Sequence, residues 1–209
     1  ELIVKVYDPT DLGGQPRGKQ TLSPGGIMYT STSGIWQSVW MEPVEDIHID
    51  KYTVVPNVDE GNVAVNVTVK GDNDAQVLLE VKDGDAVVSS VTAVQGKKTV
   101  VPVPDAKLWS PDSPFLYDLN ISVICDGDTL DRVKGYFGMR KISLAKDGGF
   151  TRMFLNNEPL FHIGPLDQGF WPDGIYTAPT DAALLYDIQA TKQMGFNMIR
   201  KHIKIEPRR

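Results

Sequence analysis

The chain has 209 residues, which is enough for one large domain or two small ones. Its composition, 41% hydrophobic and 23% charged, is ordinary for a soluble globular protein. The formal net charge of -6 argues against a nucleic-acid partner, because proteins that bind nucleic acid usually carry a basic patch. The sequence has no apolar run of about 18 residues, so it contains no predicted membrane span.

The few cysteines and histidines limit cofactor chemistry. Cys125 is the single cysteine, so no internal disulfide can form, and we expect this side chain to act as a small buried hydrophobe. The three histidines have no metal-ligand spacing, and no glycine-rich loop precedes a helix as phosphate binding requires. We therefore predict no cofactor and no metal. For the compartment, we favour a periplasmic or secreted location over the cytoplasm.

Residues 1–43 do not have the regular pattern of a domain core. Residues 8–34 are rich in Gly, Pro, Ser and Thr, and residues 35–44 then resume as a predicted strand. We interpret residues 1–43 as the tail of a preceding β domain. The chain begins within a strand-like run and ends just after another one, which is typical of a piece of a longer protein.

The next region alternates apolar and polar residues with the period of two that marks half-buried strands. The inward positions of three runs are Val63, Val65, Val67 and Val69; Val77, Leu79 and Val81; and Tyr117, Leu119, Ile121 and Val123. Turn-forming residues separate the runs, among them residues 71–74, and Asp83-Gly84 is a hairpin signal. Short strands separated by turns in this way predict a β-sandwich over residues 44–142.

After residue 143 the pattern changes. Residues 150–155 and 160–164 look like two short strands around an Asn156-Asn157 turn. A helix follows, with Thr180 as its predicted N-cap and Gly195 just past its end.

The predicted apolar stripe of this helix is Leu184, Leu185, Ile188 and Met194. Residues 196–203 are then predicted as a strand. Strand, helix and strand with short connections form a βαβ unit, which favours parallel pairing. One such unit cannot close a sheet by itself.

Several segments, taken in chain order, resemble glycoside hydrolase family 2. They are PRGKQ at 16–20, GGIMY at 25–29, GIWQSVWMEP at 34–43, LWSPDSPFLY at 108–117, FGMRKI at 137–142, LNNEPL at 155–160, and KQMGFN with Ile199-Arg200 at 192–200. Each string alone is a weak signal, but their shared order is a strong one.

This resemblance implies a mainly β fold in three parts. Residues 1–43 would be the C-terminal part of a jelly-roll sugar-binding domain, and residues 44–142 an immunoglobulin-like β-sandwich. Residues 143–209 would be the start of a (β/α)8 TIM barrel, truncated after its first βαβ unit. The implied activity is that of a retaining exo-glycosidase of β-galactosidase, β-glucuronidase or β-mannosidase type, which hydrolyses a terminal β-linked sugar.

The resemblance also indicates that the catalytic residues lie outside this chain. Retaining glycosidases use two carboxylates about 5 Å apart. In family 2 both are glutamates on later barrel strands, and the acid/base follows an asparagine. The Asn157-Glu158 pair lies instead in the hairpin before the barrel, so we predict no catalytic residue here. We interpret Glu206, just past the second strand, as a surface or loop carboxylate.

Four residues are substrate-binding candidates, and three of them have a structural alternative. Arg200 matches the arginine of a strand motif of this family. Its guanidinium can orient a carboxylate or a sugar hydroxyl, or else form a structural ion pair. His202 lies one position short of the family's histidine, so a structural role is equally open. Asp167 follows the first barrel strand and can accept a hydroxyl hydrogen bond. Trp171 can stack on a sugar ring or simply pack its loop.

The expected partner is an oligosaccharide or glycoside substrate, and the oligomeric state stays open. We expect the sandwich to position the barrel. The competing hypothesis is a non-catalytic carbohydrate-binding or structural β-sandwich module, since an immunoglobulin-like fold serves many functions.

Overall fold

A computed structural model describes residues 1–35, 37–71 and 75–206. The chain divides into two compact units, one made of Glu1–Met41 with His162–Arg209 and the other of Glu42–Phe161. Two predicted features, Trp36 of the strand at 35–44 and the turn positions 72–74, lie outside the described residues.

In chain order the elements are β1 (Gln20–Thr21), β2 (Tyr29–Thr30), β3 (His48–Asn57), β4 (Asn62–Lys70), β5 (Gln76–Asp83), β6 (Ala86–Ala93), β7 (Thr99–Pro102), β8 (Tyr117–Cys125), β9 (Asp128–Phe137), β10 (Ile142–Asp147), β11 (Phe150–Leu155), β12 (Glu158–Pro159), β13 (Leu166–Asp167), α1 (Asp181–Gln193) and β14 (Arg200–Lys201). The described residues are therefore mainly β. Within them, no helix combines the length and the apolar composition needed to cross a bilayer.

The second unit contains the predicted β-sandwich. One sheet has the order β3-β4-β7 and the other β6-β5-β8-β9, and all of the pairs are antiparallel. Side chains from both sheets form a single buried cluster, which includes every inward position predicted on β4, β5 and β8. The period-two prediction is confirmed, because each alternate side chain on these strands faces the opposite sheet.

Two hairpins of the sandwich end in the turns that their sequence favours. The predicted hairpin between β5 and β6 is present, but its two-residue turn is Gly84-Asp85, because Asp83 still pairs with Ala86; Gly84 has φ +60°. Between β8 and β9, Asp126 and Gly127 have φ +51° and +91°. Two central residues with positive φ match the twist of the flanking strands. Cys125, at the end of β8, is half-buried and not fully buried as predicted.

The hairpin at the Asn156-Asn157 turn also belongs to the second unit, in a sheet of order β10-β11-β12. The predicted return strand at 160–164 is wrong, because pairing starts earlier, with Leu155 opposite Glu158. Both turn residues have positive φ, so two residues suffice to reverse the chain. The ladder then stops near Pro159, which has no N–H to donate.

Asn156 fastens this turn. Its φ is +53°, its Oδ1 accepts a hydrogen bond of 3.0 Å from the Lys141 N–H, and its Nδ2 donates one of 2.9 Å to the Trp109 carbonyl. Asn156→Ala is expected to lower the free energy of unfolding by about 2 kcal/mol, measured by urea denaturation, because it removes both bonds and strains the backbone. Asn156→Gly, which removes only the bonds, should lose about 1 kcal/mol less. Equal losses in the two variants would contradict the strain contribution.

The predicted strand at 35–44, whose residues fall in both units, is wrong over its described residues, 35 and 37–44, none of which lies in a strand. Sequence likeness to a jelly-roll strand does not by itself form a strand, because a strand needs a hydrogen-bonded neighbour. This segment has β1 and β2 nearby in sequence, but they pair only with each other, over two residues each. Trp40, in this segment, is 75% exposed.

The βαβ unit is present in the first unit. Helix α1 begins at its predicted N-cap, where Thr180 Oγ1 accepts a 3.1 Å hydrogen bond from the Ala183 N–H. It ends in a Schellman motif: Gly195, at φ +84°, donates to the Lys192 carbonyl, and Phe196 donates to the Thr191 carbonyl.

The predicted apolar stripe of α1 is only partly correct. Leu184 is half-buried, but Leu185, Ile188 and Met194 are 51%, 58% and 65% exposed. In the part of the unit that the structure describes, the strands on either side of α1 in the chain, β13 and β14, form a two-stranded parallel sheet, which is too small to cover a whole helix face.

Candidate functional site

The carboxyl ends of β13 and β14 bring three of the four predicted site residues together. The His202 N–H donates a 3.0 Å hydrogen bond to the Asp167 carbonyl, and the Arg200 N–H donates a 3.0 Å bond to the Pro165 carbonyl. The predicted strand at 196–203 shortens to Arg200–Lys201, because Pro165 on the facing segment has no N–H to return. Gly164 allows the close approach, since a Cβ there would lie 1.8 Å from the Met198 carbonyl oxygen.

The contact with Arg200 determines the tautomer of His202. The Arg200 Nη2 lies 3.4 Å from His202 Nδ1. A guanidinium can only donate, so Nδ1 accepts and the imidazole proton is assigned to Nε2. Partial burial, and then the nearby charges of Lys19 and Arg200, lower the pKa of His202. His202 is thus neutral at neutral pH and offers an Nε2–H donor to a hydroxyl or a carboxylate.

Asp167 is engaged by two lysines and is not a free acceptor. Its carboxylate bonds to Lys201 Nζ and lies 2.9 Å from Lys204 Nζ. Both lysines also pair with Glu206, at 2.8 Å and 3.6 Å. Burial acts to raise the pKa of Asp167, but the hydrogen bonds from Lys201 and Lys204 outweigh it and leave the pKa lowered. An ionised carboxylate of this kind cannot supply a proton as a general acid at neutral pH.

This network predicts a pH dependence. A carboxyl group with a lowered folded pKa stabilises the fold above its unfolded pKa, about 3.9, and the contribution is lost as pH falls through the folded pKa. Asp167→Asn should therefore lower the free energy of unfolding at pH 7 by about 1 kcal/mol. The difference from the wild type should shrink as pH falls below about 4.

The measurement is urea denaturation of both proteins across this pH range, with Asp173→Asn as a matched control in the exposed loop that follows. A difference that grows on acidification would show that the lysines do not stabilise the Asp167 carboxylate.

Trp171, the fourth predicted residue, lies in a tight loop. Its N–H donates a 2.9 Å bond to the Ile175 carbonyl, and the Ile175 N–H returns one of 3.0 Å. The Trp171 side chain is half-buried. Its role in stacking on a sugar stays a prediction.

Sequence reasoning missed an aromatic cluster beside these residues. The Phe170 ring contacts Tyr29 at 5.6 Å and Tyr176 at 5.3 Å, both edge to face. Gln168 Nε2 also donates a hydrogen bond to the Tyr29 hydroxyl. These contacts fix the loop after β13 to the segment that contains β1 and β2.

The same unit contains a cavity of about 510 Å³, lined by residues 6–10, 15–18, 20, 32–35, 174–177 and 203–205. None of the four predicted site residues lines it. Within the residues that the structure describes, no group of three or more His, Cys, Asp or Glu side chains can hold a metal ion.

Comparison with known proteins identifies the class of the sandwich. Residues 47–140 match the family model described as glycosyl hydrolases family 2. A β-galactosidase of Thermoanaerobacter pseudethanolicus is 26% identical over 204 residues, which cover 88% of this chain and 26% of that protein. The β-galactosidase large subunit of Leuconostoc lactis is 32% identical over 176 residues, 80% of this chain and 28% of that subunit.

Solved structures show the same fold. The β-glucuronidase of Ruminococcus gnavus superposes with a TM-score of 0.62 at 18% identity, over 75% of this chain and 26% of that one. The predicted resemblance to glycoside hydrolase family 2 is therefore confirmed, and by this resemblance the chain is related to glycoside hydrolases. It spans about a quarter of the length of these relatives.

Proposed function

We propose that this chain is part of a retaining exo-glycosidase that hydrolyses terminal β-linked sugars, with its catalytic glutamates outside residues 1–209. The observation that carries the proposal is the family 2 match over residues 47–140, extended by relatives that align with 80% and 88% of the chain. In this proposal the sandwich is a positioning domain, residues 1–43 end a jelly-roll domain, and residues 143–209 begin the barrel.

The βαβ unit supports the assignment to the start of a barrel. Strands β13 and β14 are parallel and joined through α1, as successive barrel strands are. Barrel enzymes place their active sites at the carboxyl ends of the strands. Arg200 and His202 lie at this end, so we propose that they contact the substrate or orient a catalytic carboxylate.

Two carboxylates close to the ends of β13 and β14 do not have the properties of a catalytic pair. Asp167 and Glu206 share both Lys201 and Lys204 as ion-pair partners. A retaining enzyme needs one carboxylic acid that keeps its proton near neutral pH, whereas the pKa of Asp167 is lowered. We therefore propose that this network fixes the ends of β13 and β14, and that Asp167 orients the site through it.

The substrate class is open between the sugars for which the relatives are named. The two sequence relatives described above are β-galactosidases, and the structural neighbour is a β-glucuronidase. The test uses chromogenic β-galactoside, β-glucuronide and β-mannoside with the 209-residue chain and with a longer polypeptide that carries it. The longer polypeptide should hydrolyse at least one of them with retention, and the chain alone none.

Two results would overturn the proposal. Hydrolysis by the isolated chain would show that it carries a catalytic pair. Saccharide binding without any hydrolysis by the longer polypeptide would favour the non-catalytic module.

A further inference from the structure

Over its described residues, the sandwich has four edge strands, and β6 is the least protected of them. An edge strand presents unpaired N–H and C=O groups, and natural proteins block such edges with charges, prolines or short strands. The sheet orders make β3, β7, β6 and β9 the edges. Strand β3 contains Asp50, Lys51 and Pro56. Strand β7 has four residues and ends in Pro102, and β9 carries two aspartates, an arginine and a lysine.

Strand β6 has none of these protective features. Its eight residues, AVVSSVTA, include neither a charge nor a proline. Valine and threonine favour strands, and uncharged segments of this kind pair readily with another chain. Among the residues that the structure describes, β5 is the only strand that pairs with β6. Within that part of the chain, the other side of β6 is open.

The open edge is regular over most of its length. A β-bulge at Val88 interrupts the ladder with β5, but residues 89–93 pair one to one with residues 77–81. On this stretch Val91 packs against the core, whereas Ser90 and Thr92 are exposed on the outer face of the sheet. A partner strand therefore meets a regular, uncharged edge with small hydroxyl side chains.

The partner that best fits this edge is β6 of a second copy. The other edges of the sandwich bring charge or proline alongside a pairing strand. A two-fold antiparallel pair of β6 strands instead opposes only uncharged residues. Such a contact is self-complementary, as the interfaces of closed dimers are, and its affinity comes from main-chain hydrogen bonds.

We propose that β6 is a self-association edge, through which two copies of this chain pair antiparallel and join their four-stranded sheets into one continuous sheet. A contact between two short strands buries little surface, so the dimer is weak and forms as the protein concentration rises. The pairing is independent of any hydrolytic activity.

Ser90→Lys tests this pairing. Ser90 lies opposite Glu80 on β5, so a lysine there gains an opposite charge within its own sheet, and the melting temperature should stay near that of the wild type. In the dimer the two lysines lie opposite or diagonal to each other on the outer face. Their repulsion should weaken the association constant about 10-fold.

The measurement is sedimentation equilibrium of the 209-residue chain at about 10 to 500 μM. The matched control is Thr53→Lys, which makes the same kind of change at an exposed position of β3, an edge that is already charged. This control should leave the association constant unchanged.

A mixture of two variants separates a charge effect from misfolding. Ser90→Glu alone should also weaken association. An equimolar mixture of Ser90→Lys and Ser90→Glu should recover the wild-type association constant, because opposite charges then meet across the pair. Amide exchange at residues 89–93 of the wild type should slow as the concentration rises, whereas exchange on β3 should not change.

Several results would overturn the proposal. One is a chain that stays monomeric at about 500 μM. Another is a dimer that Ser90→Lys leaves unchanged, or that Thr53→Lys weakens equally. A mixture of the lysine and glutamate variants that does not associate would also contradict it. Protection of the amides of residues 89–93 at every concentration would show that another segment covers this edge, and that result too would exclude the pairing.

Discussion

Leu79→Ala is expected to lower the free energy of unfolding by about 3 kcal/mol. Leu79 is 0% exposed at the centre of β5, and it pairs with Val91 on one side and Ile121 on the other. Its truncation removes buried apolar surface and leaves a cavity that neighbours from both sheets cannot easily fill. A loss of this size is a large fraction of the total stability of a typical domain, which is about 5–15 kcal/mol.

The matched control is Leu144→Ala on β10, where the leucine is 70% exposed. It should change the free energy of unfolding by no more than about 0.5 kcal/mol. Urea denaturation followed by circular dichroism measures both variants. Equal losses would show that the buried cluster does not hold the sandwich together.

Arg200→Ala, made in the longer polypeptide, is expected to lower kcat/KM for a chromogenic β-glycoside about 100-fold. Arg200 is an exposed residue at the start of the two-residue strand β14, and its guanidinium lies 3.4 Å from His202. Its loss removes a fixed charged donor and also the group that sets the His202 tautomer. Both effects misplace donors that the transition state requires.

Arg152→Ala is the control, since Arg152 lies on β11 in the other unit. Arg200→Lys keeps the charge but loses the planar fork of donors, so it should recover only part of the activity. If the Arg200→Ala variant keeps the wild-type kcat/KM, Arg200 is not part of the proposed site.

The sandwich could be predicted from the sequence because its signal is local. Alternation along β4, β5 and β8 fixes which side chains face inward, and Asp83-Gly84 marks a turn. The structure of the segment predicted to end the jelly roll could not be predicted from such a local signal. Strand formation at 35–44 depends on a partner strand, and a single-sequence pattern does not show whether the partner is present.

The site could be predicted only in part. Arg200 and His202 are two residues apart, so strand periodicity alone places them on one side. The contact between Asp167 and Lys201 needed the register of β13 on β14, which becomes available only once parallel pairing is known. The cavity of the first unit had no sequence signal, because its lining residues Thr10, Ile175 and Ile203 adopt a left-handed conformation that threonine and isoleucine disfavour.

The most direct test of the account traps the catalytic nucleophile. Retaining glycosidases form a covalent glycosyl-enzyme intermediate, which a fluorinated substrate analogue can make long-lived. The longer polypeptide is labelled, digested and mapped by mass spectrometry. The account predicts one labelled glutamate outside residues 1–209, whereas a label on Glu158, Glu206 or any other residue of this chain would contradict it.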